Sequence, residues 1–152
     1  MHIGNYLELL LKSEKDLVKA FKMVAKEHGD EPDVYETCQL LASWSENRIE
    51  NLEPLVKKYG EERNNEPDKL TKTLFDKPRK GSLALLRDLH DLWLLANEAS
   101  LCSIILRQAA QGLRDEELTE VCDNIQNLSK RQLSWLLTRM KSAAPQTLIV
   151  AE

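Results

Sequence analysis

Cysteine is scarce in this 152-residue chain, and its three copies, Cys38, Cys102 and Cys122, stand apart from one another among apolar neighbours. No CxxC knuckle and no paired disulfide framework can be built from them, so they read as small core residues of a reducing compartment. Glycine-rich phosphate loops are missing too. Neither GxGxxG nor GxxxxGK occurs, which removes the backbone cradle that nucleotide sites use. Charge of one sign is nowhere concentrated: the net charge is -4, with acidic and basic residues interleaved. That argues against a nucleic-acid partner and against an anionic membrane surface. The opening MHIGNYLELLLKSEKD lacks a basic stretch followed by an uninterrupted apolar one, so no signal peptide is expected and the cytoplasm is the default location.

What the chain does have is helical periodicity. The five glycines, Gly4, Gly29, Gly60, Gly81 and Gly112, are expected outside helix interiors, and they divide the sequence into four long segments. Asn5 followed by Glu8 resembles a capping box, and Gly29 offers a left-handed stop, so the first helix is expected over 6–28. Its inward positions run through Leu7, Leu10, Glu14, Leu17, Phe21 and Val24, an apolar stripe with one acid in it. Pro32 suits a first helical position, and the second helix is expected over 32–59 with Pro54 inside it. Its stripe is Val34, Cys38, Leu41, Ser45, Arg48, Leu52, Leu55 and Tyr59, so Ser45 and Arg48 interrupt it as Glu14 interrupts the first.

The polar stretch 61–80 reads as a crossover with one short helical turn around LTKTLF, anchored by Leu70, Leu74 and Phe75, which speak against the alternative of a disordered linker. The third helix is expected over 83–111. Its main stripe passes through Leu85, Leu89, Leu92, Ala96, Ala99, Ser103, Leu106 and Ala110, and a second runs beside it through Leu95, Glu98, Cys102, Ile105 and Ala109. Two stripes are wider than one neighbour can cover, so this helix is expected either to sit centrally or to face a second subunit as well, and a homodimer through it is the expected partner arrangement. Asn97, Glu98 and Arg107 argue against its crossing a membrane. The acidic Asp115 to Glu117 fits the start of a fourth helix over 116–141. Its inward residues include Leu118, Cys122, Ile125, Ser129, Gln132 and Leu136. Pro145 is expected to stop it, leaving a tail, 145–152, that packs on the bundle or on a neighbouring chain. Length and pattern therefore give a single all-α four-helix-bundle domain over 1–152.

The segments WSENRIENLEPLVKKYG, LLRDLHDLWLLANEASL, LRQAAQGLRDEEL and RQLSWLLTRMKSAAPQTLIV resemble a group of small bacterial ferritin-like proteins without an assigned activity. The resemblance implies a di-iron site built from one Glu on each of two helices and a Glu-x-x-His pair on each of the other two. At the matching positions this chain has Glu14 on helix one, Ser45 and Arg48 on helix two, Glu98 on helix three, and Ser129 and Gln132 on helix four. A guanidinium is a permanent cation without a lone pair, so Arg48 cannot be a ligand. The expectation is a degenerate site that holds no metal or other cofactor. There Arg48 pairs with Glu14, Glu98 or both, and Ser45 and Gln132 complete the hydrogen bonds. The competing arrangement has both acids turned to solvent and Arg48 snorkelling outward.

Functionally this points to a non-catalytic structural or interaction module, with an unidentified protein as a further possible partner. Two alternatives stand beside it: an iron- or manganese-binding oxidoreductase or storage protein with atypical ligands, and a carrier of a small anion in the vacated metal cavity. The histidines add little. His28 reads as a cation at a helix C-terminus, and His90 as part of a charged outer face with Arg87, Asp88 and Asp91. Trp44, Trp93 and Trp135 read as packing residues.

Overall fold

The computed structural model describes residues 2–60 and 77–150. Among them are four α-helices and no strands: α1 (Ile3–Glu27), α2 (Pro32–Tyr59), α3 (Ala84–Leu113) and α4 (Glu116–Pro145), followed by a short π-helical segment, Gln146–Val150. The turn around LTKTLF lies outside the described residues.

Side-chain pairings give the topology. At one end Asp115, at the start of α4, meets Lys58 and Tyr59 at the end of α2. At the other, Arg139 near the end of α4 meets Glu31 and Asp33 at the start of α2, and His28 after α1 meets Asp88 in the first turns of α3. Helices α2 and α3 therefore point the same way, and the connection between them joins opposite ends of the bundle. Helix α1 packs on α2 and α3, α3 on α4, and α4 closes the ring against α2.

The apolar core falls into two clusters. Ile3, Leu10, Leu55, Leu106 and Ile125 belong to one; Leu17, Phe21, Leu41, Leu92 and Leu136 belong to the other. Each fully buried leucine contributes about 1.5–3 kcal/mol relative to exposure. Between the clusters, at the level of Glu14, Ser45 and Ser129, the stripes turn polar.

Several helix ends differ from the sequence expectation. Helix α1 begins at Ile3, so Gly4 and Asn5 lie inside it, and its N-cap, His2, makes no side-chain cap bond in place of the expected box. Burial of Ile3, Gly4 and Asn5 carries the helix past the local signal, as tertiary packing often does. Gly29 is not left-handed, because the positive φ angles belong to Gly81 and Arg114. Gly112 is helical, and Arg114 at φ 55° closes α3, with Asp115 N–H donating to the Ala110 carbonyl at 2.9 Å. Asp115 then caps α4 by accepting from Leu118 N–H at 3.1 Å.

Pro145 does not end the helical chain. Its missing N–H is followed by the wider π turn. Within the tail the side chains of Leu148, Ile149 and Val150 are exposed rather than packed on the bundle. Trp44, Trp93 and Trp135 are half-buried against the second core cluster.

Candidate functional site

Arg48 is the largest fully buried side chain of the described residues. Its place on the inward stripe of α2, one turn after Ser45, points its guanidinium across the bundle toward α4. Nη1 donates to the Ile125 carbonyl and to Ser129 Oγ, both at 3.2 Å. Nη2 donates to Ser45 Oγ at 2.9 Å and to Gln132 Oε1 at 2.7 Å. Gln132 Nε2 in turn donates to the Leu41 carbonyl at 3.1 Å and to Ser45 Oγ at 3.0 Å. The amide orientation is thus fixed by both of its ends. Helices α2 and α4 are joined through two i,i+3 pairs, Ser45 with Arg48 and Ser129 with Gln132, that face each other.

The counter-charge comes from α1. Glu14 Oε2 lies 3.1 Å from Arg48 Nη2, and both side chains are fully buried. Nη2 has two hydrogens and already serves Ser45 and Gln132, so Glu14 is held by charge rather than by an aligned hydrogen bond. Neither of its oxygens is met by a donor in full hydrogen-bond geometry, although the Ser45 hydroxyl and the Arg48 guanidinium lie beside the carboxylate, and Arg48 Nε has no acceptor. Burial pushes the Glu14 carboxyl above its ordinary range, while the Arg48 charge and then the Ser45 hydroxyl pull it back. Burial likewise lowers the guanidinium's pKa against the pull of Glu14, but arginine remains protonated in proteins.

Glu98 does not join this cluster among the described contacts. It is half-buried on α3, one turn before Cys102. Burial first, then the charges of Glu98 and Glu14, push the Cys102 thiol up to about 12. Cys38 and Cys122 are raised to about 12 as well, mainly by burial. Such thiols are inert packing groups.

A second buried polar cluster was not legible in the sequence. Asp88 and Asp91 are buried instead of lying on a charged outer face, although Arg87 and His90 are exposed. His28 Nε2 sits 2.8 Å from Asp88 Oδ2, so it serves a buried carboxylate rather than only a helix end. Arg79 N–H donates to Asp88 Oδ1 at 3.0 Å, and the Arg79 guanidinium reaches Asp88 and Asp91. The cluster ties the end of α1 and the chain entering α3 to the first turns of that helix.

Neither cluster suits a metal. No group of three or more His, Cys, Asp or Glu side chains able to hold an ion occurs among the described residues. In the central layer the Ser45, Ser129 and Gln132 oxygens already accept from the guanidinium, and a divalent cation there would stand against Arg48 in a low-dielectric interior. The cluster can neutralise, position and tie helices together. No protein-family model, no curated protein and no solved structure matches the chain.

Proposed function

We propose that the chain is a ferritin-like bundle whose metal site has been replaced by an internal ion pair, and that it acts as a structural or interaction module without catalysis. The observation that carries this reading is the fully buried Arg48, bonded to α4 through the two serine-led pairs and neutralised by Glu14 of α1. The parallel course of α2 and α3 supports it, because a long connection after the second helix belongs to that architecture. So does the register. The i,i+3 pairs Ser45/Arg48 and Ser129/Gln132 stand on the two helices that would carry the Glu-x-x-His pairs, with Glu14 on a third. Three buried free thiols accord with a reducing compartment.

The carrier alternative loses support because the η nitrogens of Arg48 are committed to protein acceptors, and the surface cavities described are lined by other residues. Elemental analysis of protein made in iron- and manganese-supplemented medium tests the reading. The expected content is well below one metal per chain, and stoichiometric iron or manganese overturns it. A constructive test runs the other way. Ser45→Glu, Arg48→His, Ser129→Glu and Gln132→His together recreate both Glu-x-x-His pairs beside Glu14 and Glu98. The folded variant should take up cobalt(II) with a visible d–d spectrum that the parent lacks. A folded variant that stays colourless counts against the ferritin-like register.

A further inference from the structure

The His28–Asp88 pair does more than tie α1 to α3. Asp88 is fully buried and takes the Arg79 N–H between its two oxygens, at 3.0 and 3.2 Å. Such a carboxylate only accepts, so His28 Nε2, 2.8 Å from it, carries the ring proton and Nδ1 of the neutral ring is itself an acceptor. Nδ1 has no partner among the described contacts, although the residue is only 8% exposed. The ring forms part of the wall of a cavity of about 390 Å³, where the α1–α2 turn, the chain entering α3 and the end of α4 meet. A buried imidazole fixed in one tautomer from behind, with its open nitrogen at a cavity, is arranged to receive a hydrogen-bond donor.

Charge selects the donor. Asp30 and Glu31 line the same cavity, Asp33, Asp88 and Asp91 stand around it, and the cations paired with them are Arg79 and Arg139. Five carboxylates against two guanidiniums leave the surroundings acidic. Arg139 is not open to an anion, because its Nε is 2.6 Å from Asp33 and its Nη2 is 3.3 Å from Glu31. Asp30, by contrast, is exposed and unengaged among the described contacts. Lys26 and Lys80 are exposed and form no part of the wall. Helix dipoles do not set the sign, since two C-terminal and two N-terminal helix ends meet at this end of the bundle. We propose that the cavity binds a small primary ammonium ion with a short aliphatic body. One N–H donates to His28 Nδ1, Asp30 and Glu31 meet the charge, and the alkyl part lies against Leu85 and Ala143 of the wall. The Arg48 layer takes no part in it.

Titration of n-butylammonium into the full chain, followed by imidazole nitrogen NMR and by calorimetry, tests this. The other two histidines, His2 and His90, are exposed and serve as internal controls. The free protein should show His28 as the Nε2–H tautomer, and the amine should move its Nδ1 resonance with a dissociation constant of about 0.1–1 mM. n-Butyltrimethylammonium carries the same charge without an N–H donor and should bind about 10-fold more weakly or worse. Butyrate and n-butanol should leave the resonance in place. Asp30→Asn should weaken amine binding about 5-fold without changing thermal stability, whereas Glu120→Gln, on α4 toward the opposite end, should bind as the parent does. An Nδ1–H tautomer overturns the proposal, as does a resonance that shows no saturable shift up to about 10 mM amine. A quaternary ion that binds equally well overturns it too. Butyrate that binds in place of the amine also overturns it and assigns the cavity to an anion held by Arg139.

Discussion

Arg48 and Arg79 both meet carboxylates, yet they do so in opposite surroundings. Arg48 has no solvent contact and one acid within reach, the remaining bonds going to neutral oxygens on α2 and α4. Arg79 is 40% exposed and sits against two acids at the rim. In the dry layer, removal from water costs each ion several kcal/mol, and the protein recovers it only while every partner is present. At the rim, solvent screens the guanidinium, so losing its contacts costs far less. The lesson is that the weight of an ion pair is set by what happens when half of it is removed.

Arg48→Met should show the largest effect, since it strands the Glu14 carboxylate; about 3–5 kcal/mol of unfolding free energy should vanish in denaturant melts at neutral pH. Adding Glu14→Leu should restore most of that loss, and a double variant no better than the single one breaks the contrast. The deficit should also depend on pH in a set direction. A buried carboxyl whose folded pKa is raised binds its proton more tightly in the folded state. Its favourable contribution is therefore present at acid pH and disappears as pH rises through the raised value. The single variant should thus recover toward the parent on acidification, and a deficit that grows instead would place Glu14 in water.

Asp88→Ala comes next, at about 1–3 kcal/mol, because it leaves His28 and the Arg79 backbone N–H without their buried acceptor. Arg79→Ala should be milder than Asp88→Ala, and a reversed ranking in thermal melts would give the rim ion the importance claimed for the interior one.

The smallest effect belongs to Asp115. Its carboxyl is lowered to about 2, first by the Tyr59 hydroxyl and then, against a contrary burial effect, by Leu118 N–H and Lys58. An acid with a depressed folded pKa stabilises above its ordinary value and loses that contribution as pH falls through the depressed one. Asp115→Asn should flatten the acid limb of the stability curve between about pH 4 and 2, with about 1 kcal/mol lost at neutral pH where the cap is weakened. An unchanged acid limb would remove Asp115 from the account.

Much of the central layer could be seen in the order of residues. A stripe that reads Leu41, Ser45, Arg48, Leu52 must turn its arginine inward, because three- and four-residue steps leave it no other face. Ser129 and Gln132 follow from the same rule. Glu98 did not, since it stands at the edge of its stripe, where a half-turn of side chain decides between core and surface. Asp88 and Asp91 were hidden for a different reason. Their burial depends on Arg79 and His28, which lie on other segments, and periodicity along one helix carries no information about partners brought from elsewhere. The start of α1 was set by the packing of Ile3 rather than by its capping letters.

The long link between opposite ends has one further consequence. Severing the chain within it yields two hairpins, α1 with α2 and α3 with α4. The first would carry a cation and its anion but only one of the neutral acceptors, and the second would carry Ser129, Gln132 and the Ile125 carbonyl with no donor from the first. Neither half can satisfy its own polar atoms. Arg48 would thereby act as a password between the fragments, rewarding reassembly of the correct two halves and penalising any hairpin that finds an identical mate.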